Sequence, residues 1–366
     1  METVNLTING KKIQTAAGKT VWEAARDSGI RIPVLCHHPA LPPDGACRIC
    51  VVEVGPKGFL ETACNYPVQE GLDIQTDSPK VIEARKAVLE LLLSNHPVDC
   101  MTCESAGKCL LQDLAYEYDV KGTRFQGEKL HYPIDDPNPF IQVDRNKCIV
   151  CRRCVRACKY INGVEAPKII ERGFHATVAF GSDTETPMAQ SPCEFCGSCM
   201  EVCPVGALVP KLPLGQVRNW ELQGVKTICP YCGVGCQLEL KVKNNKVFRV
   251  DSAWGGPANK GWTCVKGRFG TDYVNHPDRL LRPRVRQYLL EGDRTAKRFG
   301  DPWVEVDWDT ALDIAATRLA GIRDESGGDA IGVLASAKCL NEENYQMNKF
   351  ARQVLGTNNI DHCARL

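Results

Sequence analysis

Eight cysteines repeat one spacing. Cys148, Cys151, Cys154 and Cys158 stand as C-x2-C-x2-C-x3-C, and Cys193, Cys196, Cys199 and Cys203 repeat the run with Pro204 behind it. A tight loop can turn three such thiolates toward one point, and a cube of iron and sulfide needs a fourth. In this run the fourth cysteine ligates the neighbouring cluster. The expectation is a crossed pair. One [4Fe–4S] cluster takes Cys148, Cys151, Cys154 and Cys203, and the other takes Cys193, Cys196, Cys199 and Cys158. Lys159 replaces the usual proline after the first run and leaves the ligands intact. Arg152, Arg153, Arg156 and Lys159 could partly offset cluster charge. An ordinary solvated basic face accounts for them equally well.

Three further groups surround this pair. Cys36, Cys47, Cys50 and Cys64 supply four thiolates, enough for a [2Fe–2S] cluster. Their spacing differs from the plant-type run, and zinc is the rival. The elements in front of them favour iron–sulfur. Cys100, Cys103 and Cys109 leave a cubane one ligand short, and His96 is the nearest candidate. A neutral imidazole in place of a thiolate makes the cluster less negative and raises its potential, as in Rieske centres. Cys229, Cys232, Cys236 and Cys264 form the last group, where Gly233 and Gly235 let the backbone pass close to a cluster. No βαβ unit frames those glycines, so they are not a dinucleotide loop. Taken alone, this group could also bind zinc. Nineteen of the 21 cysteines are thereby placed. Cys339 and Cys363 are left as small buried hydrophobes.

Whole-chain properties agree with cluster binding in a reducing compartment. The chain has 366 residues, and its odd cysteine count excludes complete disulfide pairing. A net charge of +1 argues against a nucleic-acid partner. No apolar run approaches the ~20 residues that span a bilayer, and residues 1–14 alternate like a strand rather than a signal peptide. A cytoplasmic protein is expected, in which grouped cysteines are metal ligands rather than cystines.

The elements that must position the thiols can be read locally. Residues 4–8 and 11–14 alternate around Asn9 and Gly10, a hairpin signal. Thr20 caps a helix over 21–28, with Glu23 at the capping-box position and Gly29 as its stop. Together they suggest a ubiquitin-like sheet with a metal loop on its edge. A helix over 81–94 leads into His96. Residues 132–139 look like an extended connector, and 205–214 like a similar exit. Alternating runs at 237–243 and 246–251 make a hairpin that would bring Cys264 beside its three partners. A basic, proline-bearing stretch at 276–286 leads to a polar loop around 291–301. Beyond it come a helix over 310–323 broken by Gly327 and Gly328, a strand over 330–335, a helix over 341–355 stopped by Gly356, and a strand starting at 358. That order opens a parallel α/β domain. About 60 residues bury such a unit poorly, so the expectation is a chain cut in mid-domain, against the alternative that this segment docks on the cluster domains.

Taken together, the group from Cys36 to Cys64, the His96 group, the paired runs, and Cys229 to Cys236 followed by Cys264, Val265, Lys266, Gly267 and Arg268 resemble one family. The first three modules look like the large iron–sulfur subunit of complex I and the electron-input end of iron-only hydrogenases. The fourth resembles the molybdopterin oxidoreductases. The whole order is similar to the catalytic (alpha) subunit of cytoplasmic NAD(P)-linked formate dehydrogenases of anaerobic bacteria, and the likeness covers essentially the whole chain. It implies a multidomain α+β protein. Residues 1–79 would be the [2Fe–2S] ferredoxin-like domain. Residues 80–131 would be a [4Fe–4S] module with one histidine and three cysteine ligands. Residues 132–215 would be the two-[4Fe–4S] ferredoxin domain and 216–285 the small β-rich [4Fe–4S] domain. Residues 286–366 would begin the α/β molybdopterin domain.

The resemblance also implies a function. Formate is oxidised reversibly to CO2 at a molybdenum or tungsten bis-pterin guanine dinucleotide centre. Electrons leave through four [4Fe–4S] clusters and one [2Fe–2S] cluster. They reach a flavin-bearing, NAD(P)-binding diaphorase-like subunit or ferredoxin, with hydrogenase subunits as further possible partners. In the family, the lysine matching Lys266 relays electrons between cubane and pterin; a surface lysine is the bland reading. Residues 336–345 and 356–366 look like the approach to the active site, where the next residue would be a selenocysteine or cysteine that binds the metal. Selenocysteine is encoded by UGA, so the expectation is a selenoprotein read only to that codon. No catalytic residue lies within the chain, which is expected to be inactive toward formate. An authentic short electron-transfer subunit of a complex I-like or hydrogenase complex is the alternative, and a zinc-stabilised scaffold is the third reading.

Overall fold

The computed structural model describes residues 2–291, 300–337 and 339–363. Most of the polar loop expected at 291–301 lies outside the described residues, as do residues 364–366 and the side chain of Cys363. The chain divides into two compact units. One comprises residues 1–224, 241–251 and 263–268, and the other comprises 225–240, 252–262 and 269–366.

The first unit opens with the hairpin of β1 (Thr3–Ile8) and β2 (Lys11–Ala16), paired from Thr3 opposite Ala16 to Ile8 opposite Lys11. Asn9 and Gly10 form its turn at φ 52° and 76°, the left-handed pair that matches strand twist. The Thr20 hydroxyl then accepts the Glu23 N–H, and the Glu23 carboxylate accepts the Thr20 N–H, so α1 (Val21–Asp27) starts on a complete capping box. Strands β3 (Val51–Val54), β4 (Phe59–Thr62) and β5 (Asp73–Gln75) complete a sheet of order β2-β1-β5-β3-β4, with β1 parallel to β5. Val21, Trp22, Ala24 and Ala25 of α1 pack into one core with Leu6, Ile8, Val52, Val54 and Ile74, and Cys50 and Cys64 share that core.

Next, α2 (Pro79–Asn95) starts with Ser78 as cap and proline in its first turn, and it ends at His96. Cys109 stands at the start of α3 (Leu110–Glu117). The connector at 132–139 has no regular element, although Asp135 bridges Val143. Strand β6 (Ile141–Val143) pairs antiparallel with β9 (Leu208–Pro210), which closes the paired-run region on itself. Between them lie α4 (Arg153–Ala157), the hairpin of β7 (Lys168–Ile170) and β8 (Thr177–Ala179), and α5 (Ser198–Glu201). Strands β10 (Gln223–Ile228), β11 (Gln237–Lys243) and β12 (Lys246–Ser252) follow, then α6 (Val265–Phe269), and the boundary between the units runs through this stretch.

In the second unit, β13 (Arg284–Arg286) and β14 (Trp303–Glu305) pair antiparallel, with the short α7 (Gln287–Leu290) after β13. Helix α8 (Trp308–Ser326) begins two residues before the expected start because the Asp307 carboxylate caps the Thr310 N–H. Gly327, at φ 81°, ends it. Gly328 has no room for a side chain: a Cβ there would stand 2.8 Å from the Gly356 carbonyl oxygen. Strand β15 (Val333–Ser336) starts later than expected because residues 328–330 form a 3-10 turn. After α9 (Asn341–Phe350), β16 (Ile360–Cys363) lies parallel to β15. Ile331, Val333, Ala351 and Leu355 make the core of this βαβ unit. No residue of α8 is buried, and Leu334 is 86% exposed, so the small sheet has one packed face. Among the described residues, no helix is long and apolar enough to cross a membrane.

Candidate iron–sulfur sites

The two runs fold alike. Val150 and Arg152 in the first and Phe195 and Gly197 in the second all have φ between 51° and 77°. These left-handed residues turn backbone N–H groups back onto the loop. Val150 N–H donates to Cys148 Sγ at 3.4 Å, and Phe195 N–H donates to Cys193 Sγ at 3.4 Å. A valine in that conformation is strained, so the loop around it must hold it there. Cys148, Cys151, Cys154 and Cys203 line one small apolar cavity with Arg145 and Val178. Burial pushes the Cys148 and Cys151 thiols up to about 12 and the Cys193 thiol up to about 11. Cys158 and Cys196 add to the rise at Cys193 and Cys199 through like-charge repulsion, after burial itself. Asn162, just past the first run, donates to Cys196 Sγ in the second at 3.0 Å.

The [2Fe–2S] candidates meet at the edge of the first sheet. Cys36 N–H donates to Cys47 Sγ at 3.3 Å, and Cys47 N–H donates to Cys36 Sγ at 3.5 Å. Hydrogen bonds from Cys47 and Cys64 hold the Cys36 thiol far below its ordinary value. Those to Cys36 and Cys50 raise the Cys64 thiol, and one to Cys64 lowers the Cys50 thiol.

His96, Cys100 and Cys109 line a cavity of about 270 Å³ closed by Leu93 and Leu111. His96 is buried, and its Nδ1 has no hydrogen-bond partner. Burial lowers its pKa, so the ring is neutral, the form a metal needs. Cys103 Sγ lies over Gly206, where a Cβ would come within 2.8 Å of the sulfur. Cys109 is pushed up to about 11 by burial.

Cys229, Cys232 and Cys236 belong to the second unit, where Cys229 N–H donates to the Cys236 carbonyl at 2.8 Å. Gly235 takes φ 67°, and a Cβ on Gly233 would touch the Ala337 carbonyl oxygen at 3.6 Å, just beyond the end of β15. Cys264 is exposed and belongs to the first unit. Lys266 is exposed on α6. Cys339 is half-buried rather than buried.

The donor types in these sets are those that ligate iron–sulfur clusters. Soft thiols gather where burial excludes water, one imidazole nitrogen waits without a partner, and a glycine makes room for a cysteine sulfur. Among the described residues, no group of three or more His, Cys, Asp or Glu could hold a metal ion as the side chains stand.

Several structural partners of these loops are absent from the reading of the sequence. Arg153 and Arg156 are 4% and 7% exposed, which corrects the solvated-face alternative for those two, while Arg152 and Lys159 stay exposed as it expects. Arg153 donates to the His37 carbonyl at 2.5 Å and the Val202 carbonyl at 3.3 Å. Their spacing on one helical turn directly after Cys151 and Cys154 is the only local sign of this. Arg218 donates to the Met101 carbonyl at 2.8 Å and the Cys103 carbonyl at 3.3 Å, and Asn219 grips the Glu104 and Ala106 carbonyls at 2.7 and 2.8 Å. Arg249 holds Asn219 Oδ1 at 2.6 Å. Arg268, its side chain 0% exposed, pairs with Glu201 at 2.8 Å and donates to the Val250 carbonyl at 2.9 Å.

Comparison with known proteins matches the chain segment by segment to domain families. Residues 1–79 match a 2Fe-2S iron-sulfur cluster binding domain, and 85–124 match the NADH-ubiquinone oxidoreductase-G iron-sulfur binding region. Residues 138–209 match the ferredoxin-like domain of NADH-quinone oxidoreductase subunit 3. Residues 222–276 match the molybdopterin oxidoreductase Fe4S4 domain, and 279–366 match molybdopterin oxidoreductase. The NADPH-Fe(3+) oxidoreductase subunit alpha of Geobacter sulfurreducens is 38% identical over 99% of this chain and 40% of its own length. A Staphylococcus aureus protein named as a proposed formate dehydrogenase is 29% identical over 98% of this chain and 39% of its own. A chain of the NAD+-reducing [NiFe]-hydrogenase crystal structure is 33% identical with a TM-score of 0.50, covering 58% of this chain and 90% of that one. The chain thus spans about two-fifths of the length of these curated relatives (40% and 39%). It belongs to the molybdopterin oxidoreductases with iron–sulfur domains of the NADH-quinone oxidoreductase G and formate dehydrogenase kind. It carries a [2Fe–2S] domain, [4Fe–4S] domains and the start of the molybdopterin domain.

Proposed function

We propose that this chain conducts electrons between a molybdenum or tungsten bis-pterin guanine dinucleotide centre, where formate and CO2 interconvert, and an NAD(P)-linked partner. The observation that carries the conducting role is one hydrophobic core holding Cys47, Cys109, Cys148 and Cys203 together with Leu35, Ile49, Leu89, Leu111 and Val205. Ligands proposed for three different clusters share those apolar neighbours. Cys36, Cys47, Cys50 and Cys64 hold the [2Fe–2S] cluster. His96 with Cys100, Cys103 and Cys109, the crossed sets of the paired runs, and Cys229, Cys232, Cys236 and Cys264 hold the four [4Fe–4S] clusters. When bound, these groups supply the redox chemistry: a two-electron oxidation divided into one-electron steps. The chain's own part is to hold the thiols in place, exclude water and tune potential through N–H···S bonds and burial. Lys266 is the relay residue toward the pterin. The partner is a flavin-bearing diaphorase-like subunit or ferredoxin, with hydrogenase subunits as further members of the assembly, and the setting is cytoplasmic.

Formate is supported by the named relative from Staphylococcus aureus and by the motifs at 336–345. A second reading takes NADPH as the electron donor with another acceptor, favoured by the higher identity to the Geobacter sulfurreducens subunit. Anaerobic assay of the native enzyme complex separates them. Formate-dependent reduction of NAD, NADP or ferredoxin, with bleaching of the cluster absorbance, is expected. Bleaching by NADPH but not by formate establishes the second reading instead.

A further inference from the structure

The [2Fe–2S] loop and the first paired run are far apart in sequence and are tied by one side chain. Arg156 Nη1 donates to the Pro42 carbonyl, and Nη2 donates to the Cys36 carbonyl and, at 3.4 Å, to the Cys151 carbonyl. The residues joined are up to 120 positions apart. Cys36 and Cys151 are proposed ligands of different clusters. Arg153, one turn earlier, fixes the same loop through the His37 carbonyl and the other run through the Val202 carbonyl. Asp44 is 3.8 Å from Arg152, and no carboxylate forms an ion pair with Arg153 or Arg156 among the described residues. The two guanidinium charges are therefore directed at backbone carbonyls of cluster-binding loops.

We infer that Arg156 is a positioning residue for electron transfer between the [2Fe–2S] site and the [4Fe–4S] site of Cys148, Cys151, Cys154 and Cys203, acting both as a hydrogen-bonded bridge and as a shared cation. The inference rests on the cluster assignments proposed above. One electron leaves one site and arrives at the other, with no bond or proton exchanged. Two negatively charged clusters would flank one buried cation, and a cation favours the reduced, more negative form of each. The planar fork matters as much as the charge, because it reaches two carbonyls in fixed directions and a lysine cannot.

The test uses the whole chain, loaded anaerobically with ferrous iron and sulfide and titrated with dithionite under electron paramagnetic resonance. In the wild type, the relaxation of the reduced [2Fe–2S] signal should quicken as the neighbouring [4Fe–4S] cluster is reduced. Arg156→Gln should shift the [2Fe–2S] midpoint downward. At a fixed potential, the reduced-to-oxidised ratio should fall by about tenfold, the size of one charge-assisted hydrogen bond. Arg156→Lys should keep the midpoint and lose the relaxation effect. Full cluster content with wild-type midpoint and relaxation in both variants overturns the inference. If both variants lose the [2Fe–2S] cluster, the wild-type measurement decides: quickened relaxation upholds the bridge, and unchanged relaxation overturns it. Iron and sulfide analysis of the wild type stands apart from this, because absence of iron at the Cys36 group would instead sink the cluster assignment.

Discussion

Asn162 lies between the two runs in sequence but bonds to the second. Its amide N–H points at Cys196 Sγ, and such a donor stabilises the extra negative charge of a reduced cluster. Asn162→Leu should lower the midpoint of the cluster proposed at Cys193, Cys196, Cys199 and Cys158 while leaving the other proposed paired-run cluster unchanged, as read in a redox titration. Arg268 and Glu201 form a pair almost free of solvent. Arg268→Met removes the cation paired with this nearly buried carboxylate and should cost about 3–5 kcal/mol, seen as a lowered denaturation midpoint. The thiols make a pH prediction for the cluster-free protein. Burial raises Cys148 and Cys151 from 9.0 to about 12, so the fold prefers them protonated. The stability they contribute is complete below pH 9.0 and is lost as the pH climbs toward about 12. Thermal melts of the cluster-free chain should therefore fall as the pH rises past 9.0, and loading the clusters, which replaces those protons with iron, should flatten the dependence.

At the scale of elements, the paired-run loops depend on what covers them. Gly206, on the segment leading to β9, is where Cys103 Sγ rests. Gly206→Ala should displace that sulfur and diminish the cluster signal of the His96 group, with the paired-run signals retained. The short elements were legible from local patterns: Thr20 with Glu23 opens α1, Asn9 with Gly10 turns the first hairpin, and Gly327 ends α8. The loops proposed to carry the ligands could be marked out for the same reason, because their cysteine spacing is short. Residues that hold those loops down were not. Arg156 and Asn219 have partners more than 100 positions away, and nothing in their neighbours' sequence indicates which carbonyls they meet. The late start of β15 was hidden by Ile331, whose apolar side chain belongs to the core although its backbone precedes the strand.

For the whole molecule, the order of modules could be read and their joining could not. The common core of Cys47, Cys109, Cys148 and Cys203 draws on α2, α3 and loops from three modules. It was invisible because each contributor looks like an ordinary apolar residue beside a cysteine. In the second unit, the parallel pair of β15 and β16 matched the expected βαβ pattern, and Gly328 shows how tightly that unit closes on its one packed face. Gly328→Ala should destabilise it by about 1–3 kcal/mol, measured as earlier unfolding of the βαβ segment in hydrogen exchange.

The two arginine clamps and the common core also say how the first unit behaves in time. A module gripped at both the His37 and Cys36 carbonyls by buried arginines of the paired-run region is braced against swinging. Under the electron-conducting role proposed above, delivery at this end depends on how often a partner arrives, not on how fast a tethered head reorients. On that proposal, turnover of the native complex should slow with dilution of the partner and stay nearly indifferent to internal friction.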